Sequence, residues 1–305
     1  MKLVRRQVLA ALGGLGFAAT AGACRGTEPA SRDAADPLDR LRPDGREPDL
    51  VRVGVTPTSG QATAALLDPL VAYLASAHGL RAEVATSPSY DELATAIREG
   101  RVDAAFFSPL AYVKARATMP AVAVAAAARA GSPTYIGYLV TAEDDTADGL
   151  ADLQDRSVGW VDRNSTSGYL YARALLRSRG LDPDTFFSEQ RFFGDHVSVI
   201  EAVAGGEVDV GATASPFVDA EPSRGAIASV KVVAKTARIP LDCAVVHDGL
   251  SRSVAKRWRR ALFELASDHA ASERLGHAWG MSGFVSIEPS HYDGIEAVLD
   301  EETKG

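Results

Sequence analysis

Three hydroxyl side chains in succession are the feature of this sequence best suited to chemistry. They stand in Asn-Ser-Thr-Ser-Gly at residues 164–168, between a predicted strand over 157–161 and a predicted helix from about Gly168 to Ser178. A helix start presents unpaired backbone N–H groups and a partial positive charge, and hydroxyls add further donors. Capping alone needs one hydroxyl, so the run favours binding of a small oxyanion by Ser165, Thr166 and Ser167. A P-loop is excluded, because the GxxxxGK[ST] lysine is missing.

Three other positions could complete such a site from neighbouring elements. Ser108 follows a predicted strand over 102–107, so it either donates to an anion or caps the next helix. His196 stands just before a predicted helix, where its ring either donates to an oxyanion or has a structural role. Tyr90 begins a predicted helix and either closes on a ligand or packs in the core.

The elements that carry these residues alternate between strand and helix. Apolar and β-branched stretches predict strands over 51–55, 80–85 and 102–107, and helical spacing of apolar residues predicts helices over 64–78 and 90–98. This alternation is typical of an α/β protein with mainly parallel sheets.

A concealed repeat indicates two similar lobes. Residues 93–109 and 199–216 each run helix, Gly, any residue, Val-Asp, strand, Ser-Pro. The glycine ends a helix in a left-handed cap, and Ser-Pro suits the start of the next helix, with Ser as N-cap and Pro in the first turn. We therefore expect lobe 1 over 50–140 plus 240–305 and lobe 2 over 141–239.

Two crossings between the lobes place the ligand in the cleft between them. The predicted strand over 135–141 leads out of lobe 1, residues 239–247 lead back after a strand over 230–235, and a helix over 253–269 with the tail completes lobe 1. Hinge closure would then trap the ligand.

The composition fits a globular protein, with 46% hydrophobic and 24% charged residues among 305. The net charge of −8 argues against a nucleic-acid partner. Neither Cys24 nor Cys243 stands in a zinc or redox spacing. Because GxSxG, HExxH and dinucleotide-binding motifs are also missing, we expect no catalytic residue, no metal and no cofactor.

The N-terminus predicts export and a lipid anchor. Residues 1–23 combine a basic start, a short apolar stretch over 8–19 and small residues before Cys24, as in a signal peptide. The small-small-Cys ending indicates lipidation of Cys24, and Arg5-Arg6 is typical of a twin-arginine signal. Residues 24–49 are rich in Pro, Asp, Arg and Gly and predict a flexible, lipid-anchored linker. The protein is expected on the extracytoplasmic face of the cell membrane.

From about Val51 to Ser286 the chain resembles the periplasmic phosphonate-, phosphite- and phosphate-binding proteins of ABC importers. The most specific matches are the 164–168 run, Gly-x-His at 194–196 and Val-Asp-Val-Gly at 208–211; supporting matches lie at 88–90, 102–109, 131–135 and 239–242. The resemblance implies a two-lobed, type II-like periplasmic-binding-protein fold. It also implies a monomer that delivers a small phosphorus oxyanion to a permease.

Carried over position by position, the resemblance assigns ligand contacts to both lobes. Ser165, Thr166 and Ser167 would hold the oxyanion, His196 would contact it from the same lobe, and Tyr90 would contact it from the other. The remaining positions in the implied site are Phe107, Ser108, Tyr135 as a wall residue, and Asp242 as a carboxyl that can meet an amino group.

Departures from the family pattern favour phosphate or phosphite over an amino-bearing ligand. Phe107 stands where some members carry a Tyr, Val197 replaces a second acid, and Cys243 replaces a typical proline. Cys243 is either a small buried hydrophobe or a soft ligand for a thiophilic species such as arsenite.

The sequence is also compatible with two other functions. One is a sensory binding protein that presents an oxyanion to a membrane kinase. Another is a hydrolase in which Ser165 and His196 act as nucleophile and base, although no third orienting group is evident. The predicted helix over 253–269 is amphipathic. The cations on it and just before it form either a solvated face or a docking surface for the permease or lipid. They are Arg252, Lys256, Arg257, Arg259 and Arg260.

Overall fold

The computed structural model describes residues 36–56, 65, 67–129, 131–219, 230–279, 281–288 and 290–304. The predicted signal peptide, the predicted lipidation residue Cys24 and the first part of the predicted linker lie outside the described residues.

Strands and helices alternate along most of the described chain. The strands are β1 (Val51–Val55), β2 (Ala82–Thr86), β3 (Ala104–Phe107), β4 (Ala121–Ala128), β5 (Thr134–Ala142), β6 (Ser157–Trp160), β7 (Glu189–Phe192), β8 (Val210–Ala214), β9 (Val230–Pro240), β10 (Cys243–His247) and β11 (Gly283–Val285). The helices are α1 (Asp68–His78), α2 (Tyr90–Arg98), α3 (Pro109–Ala115), α4 (Tyr171–Arg177), α5 (His196–Ala204), α6 (Ser215–Val218), α7 (Arg252–Glu264), α8 (His269–Trp279) and α9 (Asp293–Lys304).

Two mixed sheets form the two lobes. In lobe 1 the strand order is β11-β4-β10-β3-β1-β2, with β1 parallel to β2 and β3, and β10 antiparallel to β3 and β4. In lobe 2 the order is β7-β6-β8-β5-β9, with β6 parallel to β7 and β8, and β5 antiparallel to β8 and β9. Parallel pairs therefore come from the βα units. Antiparallel pairs involve β5, β9 and β10, which lie next to the crossings, and also the late strand β11, which pairs with β4.

The lobe boundary differs from the predicted position at residue 140. Strand β5 belongs to lobe 2 from its first residue, because it pairs with β9 from Thr134 opposite Pro240 to Ala142 opposite Val230. The predicted return segment 239–247 is likewise divided, since Pro240 ends β9 in lobe 2 and Cys243 begins β10 in lobe 1. Both crossings are consequently short, one before Thr134 and one at residues 241–242.

The repeated unit has the expected helix ends. Gly100 after α2 and Gly206 after α5 have φ angles of 67° and 72°, in the left-handed region that glycine adopts without strain. Ser108 caps α3 as expected, because its Oγ accepts a hydrogen bond from Ala111 N at 3.3 Å. Ser215 departs from the expected capping role: it lies inside α6, and its Oγ accepts from Ile136 N at 3.3 Å.

Residues 36–49 are part of the folded body, so the prediction of a flexible linker is wrong for them. Leu38 and Leu41, 0% and 1% exposed, lie in the lobe 1 core, and a 3-10 turn forms over Pro37–Arg40. The polar composition of residues 24–49 outweighed the signal of these two leucines. They stand three residues apart, the spacing that places two side chains on one face of a helix. The folded body therefore includes residues 36–49.

Several cations of α7 hold neighbouring segments rather than facing solvent freely. Arg259 donates to both carboxylate oxygens of Asp36, and Arg252 donates to the main-chain oxygens of Asp39 and Leu41. Arg257 donates to the carbonyls of His78 and Gly79 at the end of α1, and Arg260 pairs with Glu264. The opposite face of α7 is buried, as the amphipathic pattern predicts: Val254, Trp258, Ala261 and Leu262.

The C-terminal helix α9 contacts both lobes. In lobe 1, Arg116 at the end of α3 pairs with Asp293 and Glu296. In lobe 2, Glu302 pairs with both Arg173 and Arg177 of α4. Helix α9 therefore joins α3 of lobe 1 to α4 of lobe 2.

Candidate functional site

A cavity of about 50 Å³ lies between the lobes. The described residues that line it come mostly from strand ends and helix starts, where ligands bind in open α/β sheets. They are Thr56, Tyr90, Ser108, Tyr135, Ser165, Thr166, His196, Ala214, Pro216, Phe217, Leu241, Asp242 and Met281.

The hydroxyl run forms a π-helical turn over Thr166–Leu170 that leads into α4. Ser165 Oγ accepts from Gly168 N at 3.1 Å, and Thr166 Oγ1 accepts from Leu110 N at 2.9 Å. A hydroxyl that accepts one bond keeps its own hydrogen, so both side chains can still donate to an anion. Gly168 makes the turn possible, because a Cβ there would lie 2.4 Å from Val161 Cγ2.

Ser167 is buried but does not line the cavity. Its Oγ lies near the Tyr135 hydroxyl: burial raises the pKa of that phenol, and the nearby Ser167 hydroxyl acts in the opposite direction. The oxygen forms no hydrogen bond of good geometry with any described residue. Ser167 therefore lies beside Tyr135 rather than in the described lining, and its contact with the ligand stays a prediction.

The hydroxyl turn, together with Asn164 before it, also joins the lobes. Asn164 accepts from Lys114 Nζ at 2.7 Å through Oδ1 and donates to Asp91 Oδ1 at 3.3 Å. Ser108 Oγ donates to the Asn164 carbonyl at 3.1 Å. The hydroxyl hydrogen of Ser108 is thus used in a bond to lobe 2. Of the two predicted roles of Ser108, the structure shows the helix cap, and the bond to Asn164 is an additional contact between the lobes.

His196 is the first residue of α5 and reaches the cavity as a neutral ring. The helix is capped by Asp195, whose Oδ1 accepts from Val197 N and Ser198 N at 2.9 Å each. The imidazole stacks on Phe217 with centroids 4.6 Å apart, and its Nδ1 lies 3.1 Å from Thr213 Oγ1. Burial lowers the pKa of His196 to about 4, so near neutral pH the ring offers hydrogen bonding without charge.

Two phenols face the cavity from opposite lobes. Tyr90 begins α2 in lobe 1 and Tyr135 lies on β5 in lobe 2. Burial raises the pKa of each hydroxyl well above its usual value. Both therefore stay protonated and can donate to a ligand.

Asp242 supplies the carboxyl of the cavity, at the second crossing between the lobes. Burial raises the pKa of Asp242 from 3.8 to about 7. A large share of the molecules therefore carries the neutral carboxyl near neutral pH, and that form can donate a hydrogen bond. No arginine or lysine stands among the described lining residues, so an anion here would be held by neutral donors and by the positive end of α5.

Phe107 and Cys243 lie in the core of lobe 1. Their Cα atoms are paired across β3 and β10, and each side chain is 0% exposed. Neither residue is among the described residues that line the cavity, and a ligand contact of Phe107 stays a prediction. Burial raises the pKa of the Cys243 thiol, which keeps it protonated and inert. The interpretation of Cys243 as a soft ligand is therefore not supported by its position.

Sequence reasoning missed six lining residues. Thr56 directly follows β1, and the strand-end rule applied to Ser108 would have found it. Pro216 ends the second copy of the repeat and Phe217 directly follows it, so the same rule would have found both. Ala214, Leu241 and Met281 are apolar residues without a sequence signal, and only the tertiary structure brings them together.

Within the described residues, no cluster of three or more His, Cys, Asp and Glu side chains could hold a metal ion. The helices in that part of the chain are also too short or too polar to cross a membrane.

Comparisons with known proteins identify the family. The family model for "ABC transporter, phosphonate, periplasmic substrate-binding protein" matches residues 53–292. The phosphate-import protein PhnD of Mycolicibacterium smegmatis is 27% identical over 307 residues, covering 92% of this chain and 94% of that protein.

Solved structures support the same fold. A binding protein component of an ABC phosphonate transporter from Pseudomonas aeruginosa has a TM-score of 0.73 at 22% identity, covering 82% of this chain and 85% of that chain. PhnD1 from Prochlorococcus marinus, in complex with methylphosphonate, has a TM-score of 0.74 at 18% identity, covering 85% of this chain and 100% of that chain. The predicted two-lobed, type II-like fold is confirmed, and the chain belongs to the periplasmic substrate-binding proteins of phosphonate ABC transporters.

Proposed function

We propose that this protein captures a small tetrahedral phosphorus oxyanion in the interlobe cavity and delivers it to the permease of an ABC importer. The observation that carries the proposal is the lining itself: hydroxyls of Ser165 and Thr166, phenols of Tyr90 and Tyr135, and the neutral His196 ring converge on one small space. The M. smegmatis relative is a phosphate-import protein, and P. marinus PhnD1 was solved with methylphosphonate. Both support phosphorus oxyanions as the ligand class.

The cavity has a polar and an apolar portion, which bears on the choice among these anions. Phe217, Leu241 and Met281 contribute apolar surface to a lining that is otherwise rich in donors. Phosphate, phosphite and methylphosphonate differ in one substituent on phosphorus, and hydrogen or methyl suits such a surface better than a charged group. The apolar surface therefore favours phosphite or a short alkylphosphonate, and phosphate remains in the proposed class because the M. smegmatis relative is a phosphate-import protein.

An aminoalkylphosphonate fits the described lining less well. Its ammonium group needs a carboxylate, and Asp242 is the one Asp or Glu among the described lining residues. With its pKa raised to about 7, Asp242 is only partly ionised near neutral pH. We expect aminoethylphosphonate to bind more weakly than methylphosphonate.

Calorimetry on residues 35–305, which form one compact unit, tests this function. The panel is phosphate, phosphite, methylphosphonate, aminoethylphosphonate and sulfate, with ligand removed first by partial unfolding and refolding. Replacing the two donors in Ser165→Ala/Thr166→Val should raise Kd for the preferred phosphorus oxyanion by about 100-fold or more, since each hydrogen bond to a charged group contributes about 1.5–3 kcal/mol and two are lost. Ser188→Ala, in a loop of lobe 2 outside the cavity, is the control. Equal, weak heats for all five anions would refute the proposal.

We further propose that the protein is exported and held by lipid on Cys24 at the extracytoplasmic face. The support is the signal-like order of residues 1–23 and the small residues before Cys24. Mass spectrometry of the protein from the membrane fraction should find a diacylated Cys24. If the wild-type protein is released from the membrane fraction to the same extent as the Cys24→Ser variant, the lipid anchor is contradicted. Because the chain belongs to an ABC transporter family, import is favoured over presentation of the ligand to a kinase. For the same reason, ligand binding without reaction is favoured over a hydrolase activity.

A further inference from the structure

A fully buried threonine stands behind the cavity histidine. Thr213 lies on β8, in the middle of the lobe 2 sheet, and its side chain is 0% exposed. Its Oγ1 lies 3.1 Å from Nδ1 of His196. Thr213 does not itself line the cavity, so any effect on a ligand must pass through the imidazole ring.

The hydrogens of this pair can be arranged in two ways. A neutral imidazole carries one N–H and threonine carries one O–H. If Nδ1–H donates to Thr213, then the threonine hydrogen needs a second acceptor, and the described residues offer Thr213 no hydrogen-bond partner except His196. If Thr213 donates to Nδ1 instead, then the hydroxyl hydrogen is satisfied and the ring keeps its own hydrogen on Nε2.

The second arrangement is favoured because leaving a buried donor unsatisfied costs free energy. It is also compatible with the surroundings of the ring. Stacking on Phe217 fixes the ring plane, and no described residue bonds to Nε2, which leaves that nitrogen for a ligand in the cavity.

We infer that Thr213 is a positioning residue that holds His196 in the Nε2–H tautomer, so that the ring presents a hydrogen-bond donor to the bound oxyanion. The inference rests on the proposed function for its effect on binding, but the tautomer is a property of the free protein. Burial lowers the pKa of His196, so near neutral pH the ring carries a single hydrogen. The donor is therefore available without a change of charge on the ring.

Nitrogen NMR of ¹⁵N-histidine-labelled protein tests the tautomer directly. In the ligand-free wild type, Nδ1 of His196 should give the signal of an unprotonated ring nitrogen, and Nε2 should give the signal of a protonated one. The His196 signals are assigned as those that disappear in His196→Gln. Thr213→Val removes the hydroxyl at nearly the same volume and should produce a mixture of tautomers. Kd for the preferred phosphorus oxyanion should rise about twofold or more, because only the molecules with the ring hydrogen on Nε2 can then donate to it.

Two further variants separate positioning from packing. Thr213→Ser restores the hydroxyl and should restore both the nitrogen signals and the Kd. Thr141→Val changes another fully buried threonine of lobe 2, whose hydroxyl does not contact His196, and should change neither.

The inference is overturned if wild-type His196 carries its hydrogen on Nδ1, or if Thr213→Val binds the oxyanion as tightly as the wild type. The wild-type spectrum decides the first point even if Thr213→Val fails to fold. A wild type with the expected tautomer that binds none of the phosphorus oxyanions would instead refute the proposed function.

Discussion

Protonation of Asp242 should control how ligand affinity depends on pH. Burial raises the pKa of this cavity carboxyl to about 7. Below that pH the neutral carboxyl can donate to an oxyanion, whereas above it an ionised carboxylate repels the anion in a site without arginine or lysine among its described lining residues. The affinity should therefore fall as the pH rises through 7.

The size of the effect follows from the same pKa. With a midpoint of about 7, the neutral fraction of Asp242 falls from about 0.9 at pH 6 to about 0.1 at pH 8. If the bound state keeps the proton, then Kd rises about tenfold over these two pH units. Asp242→Asn keeps a neutral donor at every pH and should lack this change.

Calorimetry at pH 6, 7 and 8 on the wild type and Asp242→Asn measures the effect. Phosphorus oxyanions titrate in the same range, so the quantity to compare is the ratio of the two Kd values at each pH, in which the ligand's own titration cancels. Asp248→Asn, an exposed carboxyl elsewhere, is the control and should follow the wild type. A wild-type to Asp242→Asn ratio that stays constant from pH 6 to pH 8 would show the reasoning to be wrong.

Three substitutions test other parts of the structure. Leu38→Ala should lower the free energy of unfolding in urea by about 2–5 kcal/mol, because it empties a buried position; a loss below about 0.5 kcal/mol would mean that residues 36–49 do not belong to the folded body. Gly168→Ala should weaken oxyanion binding, since the added Cβ would lie 2.4 Å from Val161 Cγ2 and displace the hydroxyl turn; an unchanged Kd by calorimetry would contradict that role. Glu302→Ala should lower stability by about 1.5–3 kcal/mol through loss of its bonds to Arg173 and Arg177, with the exposed Glu301→Ala as control; equal urea midpoints for the two variants would count against a stabilising bridge.

Local signals in the sequence predicted much of the fold and part of the candidate site. The strand and helix alternation, the glycine caps at Gly100 and Gly206, and the hydroxyl turn at 165–167 all depend on neighbours within a few residues. Such preferences act without the rest of the chain. The lining positions of Ser165, Thr166 and His196 followed from helix starts alone.

The differences between prediction and structure come from interactions between distant segments. Strand β5 was assigned to the wrong lobe because pairing with β9, about a hundred residues later, decides its sheet. Phe107 lies on a strand that is buried on both faces, so no alternation of polar and apolar residues indicates which face meets the cavity. Leu38 and Leu41 become core residues by packing against elements far along the chain, and Arg259 of α7 holds Asp36 beside them.

The position of β10 in lobe 1 has a consequence for how the chain acquires its shape. Lobe 2 takes all five of its strands from one unbroken stretch, Thr134 to Pro240, whereas β10 is inserted between β3 and β4, which precede that stretch. During synthesis the lobe 1 sheet therefore remains divided, with two edges open, until His247 has emerged. Lobe 2 can assemble first, and completion of lobe 1 around the late strand should be the slower step. Chaperones that guard exposed strand edges would then act on the first half of the chain, although its missing strand is encoded near the end.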